Sequence, residues 1–310
     1  LEFRRVLFRS RSPLDNDLPD GTLLAGLRAP TTWCAITGAT ISLSGSLDAT
    51  GLVLRAPLTL SGDATVASGT VRPVALDLAG HHLRIDGTVD PNLGPASAVD
   101  DSVGTGSITV SAGGALWAHG GAHVPVVVEG APTPAPTTDA LWLRGSWGAV
   151  DATGTTLDAA DASFDSVHLH GARLRPWGPV TVAGDLVLDE RSSLHAGGDF
   201  TPDYALHVLG DLELDAAGFV TTAQASVTHH LDVATVDGQV VGDFAGVSEG
   251  MVFGVGTQDA FRFSYRGGNG NDPILDWVQP DVGPTGTTAP GGATIRSEEH
   301  TSELQSHSDL

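Results

Sequence analysis

Lysine is absent from this chain. All fifteen of its basic residues are arginine, set against 37 acidic residues, for a formal charge of −22 over 310 residues. A protein that grips nucleic acid or an anionic bilayer needs a basic footprint, so this balance argues against both as partners. A single cysteine, Cys34, excludes an intramolecular disulfide framework. Aromatic residues make up only 5% of the chain while glycine occurs 40 times. That composition favours a thin, elongated β structure over a globule built round a large aromatic core. No run approaches the roughly 18 consecutive apolar residues that cross a bilayer as a helix, so no membrane insertion is expected within this segment. Helical periodicity is missing too: no window longer than about 12 residues keeps a 3.6-residue period free of Gly or Pro.

The two ends stand apart from the rest. Residues 1–10, Leu1 to Ser10, resemble the translation of a DNA-sequencing adapter, and residues 296–310 resemble the same kind of adapter read on the other strand. Such segments are set aside from fold reasoning. They carry Arg4, Arg5, Arg9 and Arg296 against Glu2, Glu298, Glu299, Glu303 and Asp309, so the acidity belongs to the chain between them.

What the chain has in quantity is one short phrase: apolar, any, apolar, any, glycine. It occurs at Cys34-x-Ile36-x-Gly38, Ile41-x-Leu43-x-Gly45, Leu58-x-Leu60-x-Gly62, Leu76-x-Leu78-x-Gly80 and Leu83-x-Ile85-x-Gly87. It returns at Val126-x-Val128-x-Gly130, Leu141-x-Leu143-x-Gly145 and Val167-x-Leu169-x-Gly171. The fullest copies are Val180-Thr-Val182-Ala-Gly184-Asp185-Leu186 and, 26 residues later, Leu206-His-Val208-Leu-Gly210-Asp211-Leu212. Alternation at period two puts the apolar pair on one face of a short strand. The glycine permits a bend or a close backbone approach. Constant strand grammar at irregular spacing predicts stacked turns with loops of varying length, none stable alone. The fold expected is all-β: a single-stranded parallel β-helix (β-solenoid) of roughly 9 to 12 rungs, right-handed by the rule for parallel crossovers, with a C-terminal β-hairpin cap.

The organisation read from this is an exposed lead-in at 11–30, rungs at 31–130, a Pro/Thr-rich loop or linker at 131–140, and further rungs at 141–250. Capping strands follow at 251–278, then a flexible linker at 279–295 whose composition cannot bury a core.

From Tyr204 onward the carrying residues are Leu231-Asp-Val233, Gly238-x-Val240-x-Gly242-Asp243-Phe244-Ala-Gly246, Glu249-Gly250 and Phe261-Arg-Phe263-Ser-Tyr265-Arg-Gly267-Gly268-Asn-Gly270-Asn271-Asp272. This stretch resembles the C-terminal part of bacterial secreted β-strand-repeat proteins of the autotransporter-associated and filamentous-haemagglutinin-like kind. The resemblance implies an extracellular or cell-surface location on a bacterium and fusion to further domains. Pro273 departs from the pattern and, lacking a donor, is expected to make the last strand an edge.

Four constellations carry candidate chemistry. Gly267-Gly268-Asn-Gly270-Asn-Asp272 matches one calcium-binding β-roll nonapeptide, with Gly268, Gly270 and Asp272 as the calcium residues, but no second copy follows and the simpler reading is a Gly/Asn-rich hairpin turn. Asp151, Asp158, Asp161 and Asp165 form an acidic cluster. Carboxylates on neighbouring rungs bind Ca²⁺ or, with a cation such as Arg173 beside them, cleave polysaccharide; the simpler reading is a solvated acidic face. His168 and His170 have metal-like i, i+2 spacing but occupy the outward positions of their strand, and the adjacent pairs His81-His82 and His229-His230 have no third ligand at useful spacing. Trp117, Trp142, Trp147 and Trp177 form a sugar-stacking strip if they face outward, and half-buried rung ends if they do not.

The function expected is a non-catalytic structural or adhesive segment of a secreted or surface-displayed bacterial protein, with surface glycans or host or neighbour-cell proteins as partners and no required cofactor. The alternative is a polysaccharide-active enzyme (lyase or hydrolase) of the pectate-lyase-like β-helix type, using Asp158, Asp161, Asp165 and Arg173.

Overall fold

A computed structural model describes residues 14–16, 22–28, 34–50, 52–90, 103–130, 141–196, 206–221, 230–253 and 260–278. The end segments 1–10 and 296–310, the 131–140 segment and the 279–295 segment lie outside the described residues. Those described contain strands and turns and no helix.

Nearly all strand pairing is parallel, and each strand pairs with one that follows it by a single circuit of the chain. The longest ladder runs Leu27, Leu47, Val66, Ile85, Val110, Val128, Ala152, Leu169, Leu188, Leu214, Gly242, eleven positions without a break. A second ladder runs Val71, Val89, Leu116, Leu141, Leu157, Leu174, Leu194, Phe219. A third runs Val124, Trp147, Phe164, Val182, Val208, Val236. From Leu47 to Leu214 the side chains of the first ladder are buried, as are those of the second from Val71 to Leu194 and all of the third, and together they form one continuous core. Five successive circuits, from Leu116 to Leu214, each supply one apolar residue to each of the three rows. A buried Leu or Val of this kind contributes roughly 1.5–3 kcal/mol, and it does so only through its neighbours above and below.

Several strands are too long to stay on one side. Leu58–Val71, Ala115–Val128, Leu141–Thr153 and Thr156–His170 each contribute to more than one row. Their inward–outward alternation slips where they turn. Between Leu141–Thr153 and Thr156–His170 the register shifts between Leu143 and Gly145. There Gly145 has φ +73° and Asp161 has φ +48°, the left-handed region that Gly enters freely and Asp tolerates. Because the long strands turn, pairing also closes on itself in the first half. Leu58–Val71 pairs with His82–Ile85 and with Thr88–Val89; the former leads through Ser107–Val110, and the latter directly, to Ala115–Val128.

Two expectations need correction. Within the 11–30 lead-in, Leu14–Asn16 and Thr22–Arg28 are strands whose backbones pair in parallel with Ile36–Gly38 and with the Ile41–Ala49 strand. The polar, turn-rich composition between them concealed two more ladder strands. Pro273 does not make its strand an edge. Asp272–Val278 lies between His230–Asp232 and Ala260–Gly267, antiparallel to both. The missing N–H is accommodated at a register shift between Ser264 and Gly267, and the Pro273 carbonyl accepts from Val233 N at 2.8 Å.

The antiparallel strands pack over the last turn through aromatic rings. Phe219, Phe244, Phe253, Phe263 and Tyr265 touch one another with centroids 4.7–6.2 Å apart, mostly tilted or edge-to-face. The Tyr265 hydroxyl accepts from Phe244 N at 2.7 Å and donates to the Val247 carbonyl at 3.0 Å. Burial pushes its pKa up to about 12.

Candidate functional site

The second ladder positions the site. On either side of each inward residue stands an outward one, and the register aligns those outward residues across turns. Trp117 pairs with Trp142, Trp142 with Asp158, and Asp158 with Arg175. On the next strand His195 follows Leu194, the partner of Leu174, and pairs with Val220. Beside this column run Thr156, Arg173 and Ser193 in register. Arg144 stands two residues after Trp142 in the same strand, and Trp177 two residues after Arg175, just past the end of the Arg173–Pro176 strand.

Asp158 is buried although it points outward. Arg175 donates to it through Nε (2.6 Å to Oδ1) and Nη2 (2.7 Å to Oδ2), and Trp177 Nε1 donates to Oδ1 at 2.7 Å. The Arg175 guanidinium also lies 5.6 Å from the centre of the Trp177 ring, and that of Arg144 lies 5.1 Å from the centre of Trp142. Such cation–π contacts draw a guanidinium to the negative face of the ring. Burial, followed by the charges of Arg173 and Arg175, pushes the His195 pKa below its ordinary value, with Asp158 opposing. His195 is therefore the neutral imidazole in this basic setting near neutral pH.

Six buried side-chain polar atoms lack a hydrogen-bond partner among the described residues, and five lie on this face: Trp142 Nε1, Arg144 Nε, Thr156 Oγ1, Arg173 Nε and His195 Nε2. The sixth, Arg72 Nε, is 3.2 Å from Asp90 Oδ2. Buried polar groups are normally satisfied, so this concentration sets the face apart from the rest of the molecule.

The other sequence candidates are dispersed. Asp158 meets a cation, but the residue is Arg175, with Arg173 one position along the face. Asp161 is exposed at the corner, and Asp165 lies beyond it, 2.8 Å from His123 Nδ1. The three aspartates thus stand at three different places around the circuit. Asp151 pairs with His168 in register, and His170 lies 3.7 Å from Asp151 and 3.9 Å from Asp189, all on the outer side of the first ladder. His82 Nδ1 lies 2.9 Å from Ser107 Oγ. Gly268 (φ +49°) and Gly270 (φ +110°) form the hairpin turn before Asp272. Asp272 is buried, its Oδ1 accepting from Val236 N at 2.8 Å and its Oδ2 from Asn269 N at 3.2 Å. Among the described residues no group of three or more His, Cys, Asp or Glu is arranged to hold a metal ion.

Of the four tryptophans considered, Trp147 is fully buried, donating to the Arg144 carbonyl at 2.7 Å, while Trp117 and Trp177 are 38% and 44% exposed and Trp142 is half-buried. Arg144, Arg173 and Arg175 all lie near the aspartates along the chain, and His195 is the residue of this face that such proximity does not select. A signal existed: Leu116-Trp117-Ala118, Leu141-Trp142-Leu143, Leu157-Asp158-Ala159, Leu174-Arg175-Pro176 and Leu194-His195-Ala196 share one apolar-outward-apolar frame. Aligning those frames places the outward residues in one column.

Comparison with protein-family models, with curated proteins and with solved structures returned no match.

Proposed function

We propose that this chain is a segment of a secreted or surface-displayed bacterial β-strand-repeat protein, folded as a right-handed single-stranded parallel β-helix with a C-terminal hairpin cap. Its role is structural or adhesive and non-catalytic: a stiff rod that holds further domains away from the cell and offers its outer faces to glycans or to proteins of a host or neighbouring cell. The observation that carries this reading is the ladder of eleven positions from Leu27 to Gly242, which sets one circuit on the next along a single direction. At about 4.8 Å per strand spacing, ten steps extend for roughly 48 Å. The handedness follows the strong preference of parallel crossovers.

One observation favours the alternative of a polysaccharide-cleaving enzyme: Asp158 on an outward face beside Arg175. Against it, both carboxylate oxygens of Asp158 already accept from Arg175 and Trp177, and among the described residues no second carboxylate is bonded to Asp158 to share acid–base work. The test is incubation of the full chain with a panel of neutral and acidic polysaccharides, measuring new reducing ends, alongside small-angle scattering. A rod-like scattering profile and no release are expected. Release that disappears in Asp158→Ala or Asp161→Ala would make the protein an enzyme, and a globular profile would remove the rod.

A further inference from the structure

We infer that the face built by Trp117, Trp142, Arg144, Arg173, Arg175 and Trp177 is a binding site for acidic oligosaccharide, a sugar chain carrying carboxylate groups. This rests on the adhesive reading above and names the partner class.

The first argument is charge. The protein carries −22 overall, yet three arginines stand together here against one carboxylate, Asp158, which Arg175 already engages. Among the described residues Arg144 and Arg173 make neither a hydrogen bond nor an ion pair through their side chains; Arg144 is held only by the Trp142 ring. An acidic chain with many carboxylates to spare has left two guanidinium groups without one. The second argument is hydrogen-bond type. Of the five unpartnered atoms, Trp142 Nε1 and the Nε atoms of Arg144 and Arg173 are donors only, while Thr156 Oγ1 and the neutral imidazole's His195 Nε2 can also accept, so unmet donors outnumber unmet acceptors on this face. The partner must therefore be rich in oxygen acceptors, and the guanidinium fork matches a planar carboxylate in particular.

The third argument is shape. Trp117 and Trp177 expose indole surface at the two sides of the arginines. The negative face of an aromatic ring attracts the positively polarised C–H bonds on the face of a sugar ring. From Trp117 to Val220 the column crosses five strand spacings, about 24 Å at ~4.8 Å each, room for several linked sugars laid along the ladder. A densely charged polyanion is disfavoured by the acidic remainder of the protein. A short or sparsely charged sugar acid avoids most of that repulsion while satisfying the two arginines.

The experiment is calorimetric titration of the full chain with a short oligoglucuronate, with its carboxyl-reduced neutral form, and with oligoglutamate and inorganic polyphosphate as sugar-free anions. The acid sugar should bind at least tenfold more tightly than its neutral form. Arg173→Gln and Arg144→Gln should each cost the acid sugar about tenfold, the scale of one charge-assisted hydrogen bond, while leaving the neutral form unchanged. Trp117→Ala, at an exposed position, should weaken both, and so should Trp177→Ala, which also removes the Nε1 hydrogen bond to Asp158. Arg191→Gln, an exposed arginine elsewhere, should change nothing. Equal affinity for acid and neutral forms, no binding by either, or equal binding of the sugar-free anions would each overturn the inference. Cleavage of the oligoglucuronate would instead overturn the non-catalytic reading, so the two failures are separable.

Discussion

The glycine and aspartate of the repeated phrase each have a physical task. Gly184, Gly210 and Gly238 stack on successive turns, with Gly210 N donating to the Gly184 carbonyl at 3.1 Å and Gly238 N to the Gly210 carbonyl at 3.2 Å. A Cβ on Gly210 would lie 2.5 Å from the Gly184 carbonyl carbon, so glycine is required there by proximity rather than by backbone angle. Asp185 Oδ1 accepts from Asp211 N at 2.9 Å, and Asp211 Oδ1 from Gln239 N at 2.8 Å, each carboxylate capping the turn above. Gly210→Ala is expected to destabilise by about 1–3 kcal/mol, the range of an overpacked site. Gly80→Ala has open space and only an unfavourable φ of +86°, so about 1–2 kcal/mol is expected. Chemical denaturation of the two variants checks the difference, and a Gly210→Ala protein as stable as the parent would exclude the stacking account. Asp161, at φ +48°, supplies a left-handed corner of the Thr156–His170 strand.

At the scale of elements, the antiparallel strands depend on the aromatic cluster and on one histidine. Phe263 is fully buried against Phe219, Phe244 and Tyr265, and Phe263→Ala should cost about 3–5 kcal/mol, visible as a lowered Tm. His230 Nδ1 donates to Asp276 at 2.6 Å and its Nε2 to Asp232 at 2.9 Å. Both nitrogens donate only in the imidazolium. The Asp276 hydrogen bond, against partial burial and with help from Asp232, raises the His230 pKa above its ordinary 6.5. The folded state thus holds this proton more tightly than the unfolded chain does. The stabilisation is fully present below pH ~6.5 and is lost as pH rises through the folded value. Thermal melts between pH 5.5 and 8.5 should show Tm falling with pH in the parent and a smaller fall in His230→Gln. Parallel curves for the two proteins would exclude this role.

On the β-helix reading proposed above, stability is one-dimensional: a strand in the middle has neighbours on both sides and one at an end has fewer. Amide hydrogen exchange should be slowest in the strands bearing Val150, Val167 and Leu186, and faster toward Thr22–Arg28. Exchange at one uniform rate from Leu27 to Gly242 would show instead a single cooperative block. The same stacking makes the arginine–tryptophan face: a residue on one circuit meets residues 17 and 19 positions later, as Asp158 meets Arg175 and Trp177.

The sequence by itself determined the strand character, the inward residues and the need for stacking. Period-two alternation and small residues at turns act within a few positions, so Leu141-x-Leu143 or Val180-x-Val182 declares its buried side without reference to anything distant. Two strands in the lead-in and the interior place of Asp272–Val278 were concealed, because pairing is a property of the partner's backbone and not of the strand's own residues. Only the tertiary structure decided which outward residues meet. Circuits differ in length, so the offset that puts Asp158 beside Arg175 is 17 positions while Asp211 reaches Gln239 after Asp185 reached Asp211 across 26. With loops free to vary, lateral register is set by fitting every inward row at once, and the column of tryptophan, carboxylate and arginine exists only after that fit.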